Sequence, residues 1–223
     1  SQVFTGIIES FGTIRRIESQ GEGKVLSIEC DLDLSRTKIG DSIAVNGACL
    51  TAVSLDKHSF KVDMAPETVA RTTFNEMTVG SRVNIERALR LSDRIDGHLV
   101  SGHIDGTGTI ASIQKKSNAV IIRVAVPPAL GSDMIEKGSV AIEGISLTIN
   151  ACTDRDFTVS IIPHTASITT IGLKQVGDKV NIETDMIGKY VRKYLMGSSS
   201  KNDALKPDTG SVSLELLAKN GFL

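Results

Sequence analysis

The chain has 223 residues, 40% of them hydrophobic and 23% charged, with a net charge of −1. That balance excludes a disordered chain and fits one large domain or two small ones. No basic run is long enough to track a phosphate backbone, and no stretch reaches the roughly 18 to 20 apolar residues of a membrane span, so neither nucleic acid nor membrane is an expected partner.

The start, SQVFTGIIES, lacks a cationic region followed by a long apolar core, so no secretion signal is expected. In the first half, strands are expected over residues 3–17, 24–30, 42–45, 49–55, 59–64 and 82–86, punctuated by GEG (21–23), IGD (39–41) and VGS (79–81). SFKVDM (59–64) alternates Phe60, Val62 and Met64 on one face with Ser59, Lys61 and Asp63 on the other. PETVART (66–72) opens on a proline and predicts one helical turn. Residues 87–99, RALRLSDRIDGHL, carry the chain into the second half. There DFTVSI repeats the alternation with Phe157, Val159 and Ile161, and PHTASIT (163–169) repeats the short helix. MIGKYVRKYLMG (186–197) places Ile187, Val191, Tyr194 and Leu195 at helical spacing, a stripe suited to oligomer contact or to packing within the chain. Residues 198–207 read as a polar linker, and SVSLELLAKNGFL (211–223) reads as a tail helix stopped at Asn220-Gly221. Cys30, Cys49 and Cys152 are odd in number, widely spaced and without a CxxC pair. They argue against a disulfide framework or a zinc site and for a reducing compartment, the cytoplasm.

The halves are copies. Shifting the chain by 97 lays residues 42–86 over 139–183 without a gap, and 17 of those 45 pairs are identical. NGACLTA (46–52) falls on EGISLTI (143–149), and VNIE (83–86) falls on VNIE (180–183). Upstream, a shift of 96 lays FTGIIESFGTI (from Phe4) over VSGHIDGTGTI (from Val100). Two long copies indicate a duplicated domain rather than a solenoid. Six short strands per copy leave edges that closure into a barrel would remove, with two sandwiches as the alternative. The expectation is an all-β chain: two tandem homologous six-stranded Greek-key barrels over 1–97 and 98–186, a C-terminal helix over 187–197, and linker and tail over 198–223.

Duplicated units keep what the fold requires and diverge where their tasks differ. Cys49 faces Ser146, Ile7 faces His103, Gly40 faces Lys137, Glu67 faces His164 and Ala88 faces Asp185. Each has an ordinary reading: a strand cysteine as a small buried hydrophobe, hydroxyls bonded to nearby backbone, exposed charges of little energetic weight. The sharper reading makes His103 a general acid or base. His58 and His98 receive no role. Spacing alone stops at a two-barrel protein that binds a small molecule.

VFTGII (3–8), NGACLT (46–51), GHLVSGHIDG (97–106), KGSVAIEGISLT (137–148), IIPHTASITT (161–170) and VNIETD (180–185) occur together and in order. On these motifs the chain resembles the riboflavin synthase family, the form whose subunit is two similar barrels. The resemblance implies a cytosolic homotrimer, held partly by a C-terminal helix, with no metal and no cofactor. It implies two molecules of 6,7-dimethyl-8-ribityllumazine as substrate, a four-carbon transfer between them, and riboflavin and a ribitylaminopyrimidinedione as products. It leaves association with lumazine synthase open. Carried over by position, it implies catalytic roles for Cys49, His103, Ser146, Lys137 and Asp185. It implies substrate contacts from Phe4, Thr5, Gly6, Ser42, Thr51, Met64, Thr68, Gly102, Thr148, Ile162 and Thr165, at a site between the N-terminal barrel of one subunit and the C-terminal barrel of another. The rivals are a non-catalytic lumazine-binding antenna, a flavin reductase barrel, for which no Arg-x-Tyr-Ser signature is present, and a purely structural module.

Overall fold

A computed structural model describes residues 2–201, with side chains through Leu195. The first half forms β1 (Ser10–Gln20), β2 (Gly23–Cys30), β3 (Ser42–Val45), β4 (Ala48–Leu55), β5 (Ser59–Met64), helix α1 (Pro66–Arg71) and β6 (Arg82–Arg87). The second forms β7 (Gly106–Lys116), β8 (Ala119–Ala125), a short helix α2 (Pro128–Gly131), β9 (Ser139–Ile142), β10 (Ile145–Cys152), β11 (Asp156–Ile161), α3 (Pro163–Ile168) and β12 (Lys179–Thr184). Each set of six strands closes into a barrel, the first in the order β1-β2-β5-β4-β3-β6 and the second in the equivalent order. All neighbouring strands are antiparallel, so closure leaves no open edge. Barrel is therefore the correct alternative, and sandwich is not.

The strand pattern explains the cores. Phe60, Val62 and Met64 point inward with Ile14, Leu26 and Ile28, and Phe157, Val159 and Ile161 do the same in the second barrel. Each of these side chains is at most 3% exposed, which puts the predicted alternation in register with closure. Both α1 and α3 begin on proline, where a missing N–H leaves no bond unmade.

The barrels meet across a pseudo-two-fold seam. The β3–β4 and β9–β10 hairpins turn on Asn46-Gly47 and Glu143-Gly144, with φ values of 45° and 81° in the first and 50° and 80° in the second. Both central residues are thus left-handed, the pairing that matches strand twist in a two-residue hairpin. A Cβ on Gly47 would lie 2.7 Å from Gly144 N, and the converse distance is also 2.7 Å, so the two turns touch through bare backbone. Around them Asn84 Nδ2 donates to Glu143 O and Asn181 Nδ2 donates to Asn46 O, at 2.9 and 3.0 Å. Thr73 N and Thr170 N donate to Asn181 Oδ1 and Asn84 Oδ1. The paired VNIE motifs supply both asparagines.

One expected strand is wrong. Residues 3–17 do not form a single strand: β1 begins at Ser10, and the segment before it is an arm that leaves its own barrel. Phe4 pairs with Val100 across the seam, with Phe4 N donating to Val100 O at 2.7 Å and Val100 N to Phe4 O at 3.0 Å. Beyond that pairing the arms cross. Gly6 O accepts from Ser146 N of the second barrel, and Gly102 O accepts from Cys49 N of the first, both at 2.8 Å. Ile8 packs against the second core and Ile104 against the first. The shift of 96 extends back to set Gln2 against His98 and Val3 against Leu99, within the connecting residues 87–99.

After β12, helix α4 runs over Met186–Lys201. It carries the predicted stripe but continues four residues past the expected end at 197, so the polar stretch from Ser198 begins as helix rather than linker. The expected tail helix (211–223) lies outside the described residues. The two barrels form one compact unit through Gly188.

Because any Cβ at Gly47 meets the facing backbone and the turn needs φ > 0, Gly47→Ala should lower stability by about 2 kcal/mol or more. Urea denaturation measures it.

Candidate functional site

In β4, Leu50 and Ala52 face the core, which turns Cys49 and Thr51 to the outer face. Cys49 is only half-buried, and what covers it is the arm of the other repeat. Cys49 thus packs partly against the apolar seam cluster of Phe4, Ala44, Val100 and Ala141 and partly lines a cavity. A cavity of about 510 Å³ opens beside it, lined by Cys49, Thr68, Glu67, Arg71, Gly102 and His103 among others. Helix α1 forms one wall, and the arm through His103 forms the opposite one. Glu67 and Arg71 pair at 3.0 Å on that wall, both well exposed, so their contact adds little stability.

The arms need glycine at their closest approach. Gly102 (φ 78°) has Cys49 Cβ 2.5 Å from where its own Cβ would stand, and Gly6 (φ 75°) has Ser146 Cβ at 2.6 Å. Each arm is tied at its root by a buried carboxylate. Glu86 Oε1 accepts from Thr5 N (2.6 Å) and Thr5 Oγ1 (2.7 Å), and its Oε2 accepts from Gly6 N (3.0 Å). Glu183 treats Ser101 N, Ser101 Oγ and Gly102 N the same way, at 2.7, 2.7 and 3.0 Å. Burial pushes the Glu86 carboxyl up to about 7, against the opposing pull of Thr5 and Gly6.

At the equivalent place in the second barrel, Ser146 N donates to Gly6 O of the first arm, and the positions that match Ala65, Glu67, Thr68 and Arg71 in the repeat are Ile162, His164, Thr165 and Ile168. The exchange sorts the unlike pairs: His103 stands with Cys49, while Ser146 receives Ile7. In place of His103, the second site has a different imidazole. His98 Nδ1 lies 2.7 Å from Ser146 Oγ. Burial lowers the His98 pKa, and the Asp185 carboxylate opposes that shift. Asp185 Oδ1 also accepts from Ile187 N at the start of α4. Sequence reading gave His98 no role. The available signal was its alignment with Gln2, an unlike pair like the others.

The lumazine binding domain family matches the chain twice, over residues 5–88 and 101–185. Riboflavin synthase of Bacillus subtilis (strain 168) is 44% identical over 99% of this chain and 100% of its own length. That of Photobacterium phosphoreum is 43% identical over the same shares. The chain belongs to the riboflavin synthase family. Among solved structures, LumP complexed with 6,7-dimethyl-8-(1'-D-ribityl)lumazine is 24% identical with a TM-score of 0.72, covering 81% of this chain and 98% of that one. LumP complexed with riboflavin is 25% identical with a TM-score of 0.73, over the same shares. These share the two-barrel fold.

Against the residues expected from this riboflavin synthase membership, the placement is mixed. Cys49, Thr68, Gly102 and His103 line one cavity. Ser146, Gly6 and Asp185 gather around His98. Ile162, which precedes α3, is exposed, as is Thr148, while Thr165 on α3 is half-buried; Thr51 and Thr148 lie two residues beyond Cys49 and Ser146 on the same outer strand faces. Phe4 and Met64 are buried, at 0% and 3% exposed. Phe4 packs in the seam with Val100, Ala44 and Ala141, and Met64 points into the first core. Thr5 and Ser42 border a separate polar cavity of about 470 Å³ with Gln2, Glu86 and Arg87. Lys137 stands exposed at a left-handed residue (φ 65°) before β9, and it makes no ion pair with Asp185. No cluster of three His, Cys, Asp or Glu side chains suited to a metal occurs among the described residues.

Two titrations test this geometry. Asp185→Asn removes the charge that opposes desolvation, so the His98 pKa should fall further, as read by NMR of the imidazole. Glu86 has its folded-state pKa raised from 4.5 to about 7, so its contribution to stability is complete below 4.5 and lost as pH rises through 7. Urea denaturation at about pH 5 and about pH 8 should show the wild type losing roughly 3 kcal/mol relative to Glu86→Gln.

Proposed function

We propose that the protein makes riboflavin from two molecules of 6,7-dimethyl-8-ribityllumazine, moving four carbons from one to the other and releasing a ribitylaminopyrimidinedione. The supporting observation is a pair of sites built alike and equipped differently. One carries Cys49 and His103, and the other carries Ser146, His98 and Asp185. Two identical substrates call for two similar sites, while donor and acceptor require unlike chemistry.

In this reading the 7-methyl group of one lumazine gives up a proton, because its negative charge delocalises into the ring. His103, or a water that it orients, takes that proton. The Cys49 thiol or a water adds to carbon 7 of the second lumazine. Ser146 and Thr148 hydrogen-bond a pteridine edge. His98, whose lowered pKa favours the neutral ring, orients the Ser146 hydroxyl through the contact between its Nδ1 and Ser146 Oγ. Lys137 and Asp185 handle charge at the rim. Holding the two rings in register supplies much of the acceleration, since orientation is worth roughly 7 to 11 kcal/mol.

The two rings meet between the Cys49 site of one subunit and the Ser146 site of the next in a homotrimer. The apolar stripe of α4 supports that assembly, and the free thiols of Cys30, Cys49 and Cys152 suit the cytoplasm. Relatives named riboflavin synthase at 44% and 43% identity support catalysis over a binding-only antenna.

Mixing the protein with the ribityllumazine and following riboflavin absorbance tests the reading. An antenna would bind without forming product. His103→Gln should lower kcat by about 100-fold, and Cys49→Ser should lower it as well. Full turnover in either variant removes that side chain from the mechanism.

A further inference from the structure

Glu86 and Glu183 do not reach either ligand site, yet each is held in the same constellation. Glu183 is 1% exposed and Glu86 4%, so water does not compete for their oxygens. The Ser101 hydroxyl donates to Glu183 Oε1 at 2.7 Å and accepts from His103 N at 3.2 Å. The first repeat reproduces this relay, with Thr5 Oγ1 donating to Glu86 and accepting from Ile7 N at 3.3 Å. A carboxylate therefore holds three consecutive residues of each arm, two through their backbone N–H groups and the third through a hydroxyl. The third residue is the one that faces the other barrel's site: His103 in one arm, Ile7 in the other. These bonds anchor arm backbone that lies outside the strands of its own barrel.

We propose that Glu183 is a positioning residue for the Cys49 site: through Ser101 and Gly102 it sets where the His103 imidazole stands, and Glu86 does the same for the arm at Ser146. The proposal rests on the reading that Cys49 and His103 act in one site. The geometry leaves the arm little freedom to adjust. Gly102 is pinned from both sides, with its N–H on Glu183 and its carbonyl on Cys49 N. A Cβ there would meet Phe4 Cε2 at 3.0 Å as well as Cys49, so a shifted arm has no empty space to enter. Glutamine at 183 keeps the size of the side chain, and its one carbonyl oxygen still accepts from Ser101. Its amide nitrogen would then confront Gly102 N–H donor to donor, and the arm would have to move.

The test uses the full-length chain as Glu183→Gln and Glu86→Gln, with steady-state kinetics on the ribityllumazine, imidazole NMR and thermal denaturation. Glu183→Gln should lower kcat by about 10- to 100-fold, since a displacement near 1 Å can cost that much. KM should change far less, because the cavity wall from α1 is untouched. The His103 resonances should shift in Glu183→Gln and stay in place in Glu86→Gln, while the His98 resonances do the reverse. Unmoved His103 resonances in Glu183→Gln overturn the proposal, as does an equal shift of both imidazoles in both variants, which marks a general loss of structure. If Glu183→Gln does not fold, Ser101→Ala removes only the hydroxyl relay. It should lower kcat by a smaller factor with the same His103 shift, and an unchanged His103 signal there also overturns the proposal. The outcomes remain separable from the functional reading: full turnover in His103→Gln removes the imidazole from the chemistry, whereas the resonance shifts report its placement regardless.

Discussion

Both sites depend on the two reciprocal hydrogen bonds that join Cys49 N to Gly102 O and Ser146 N to Gly6 O. Cys49 and Ser146 lie on outer strand faces, where a side chain would ordinarily meet only water. The crossing arms cover part of those faces, and one of them brings His103 to the cavity beside Cys49. Without the crossing, His103 would remain on the barrel that carries Ser146. The seam makes the crossing possible, since the Gly47 and Gly144 turns bring the barrels close enough for a short arm to reach.

The frame is symmetric and the chemistry is not. Glycines at 6, 102, 47 and 144, carboxylates at 86 and 183, and asparagines at 84 and 181 match across the repeat because each satisfies a backbone demand that both halves share. Divergence also enters the seam at one position. Where the first turn has Asn46, the second has Glu143, fully buried and left-handed, with Oε1 accepting from Asn181 N at 2.6 Å. Burial raises its pKa, and Lys174, 3.8 Å away where the first repeat has Met77, opposes the shift. The second barrel thus carries a carboxyl and an amine in its frame where the first carries an amide and a thioether.

Much of the fold was legible because closure and alternation are local properties. Phe60, Val62 and Met64 alternate in the chain, and a barrel wall needs that period, so the core could be read directly. The short helices could be read from Pro66 and Pro163 for a similar reason. The first strand was misread since Val3 to Ile8 has strand-like composition whether it pairs at home or across the seam, and only the partner distinguishes the two. Phe4 and Met64 were placed with the ligand through family position, but their burial follows from which way each backbone turns. His98 escaped notice because a histidine in a connecting segment has no period and no motif of its own, and its meaning comes from Ser146, 48 residues away.

The amino-acid sequence by itself determined that there are two copies of one barrel, which positions in them are unlike, and to which family the pattern belongs. These follow from spacing and identity along one dimension. The tertiary structure decided which unlike residues share a site. That pairing depends on arms that exchange between barrels, and a shift of 96 or 97 along the chain carries no information about which barrel an arm will enter. The exchange is settled by backbone groups seeking partners at the seam, where glycine at 6 and 102 lets the arms pass close to Ser146 and Cys49.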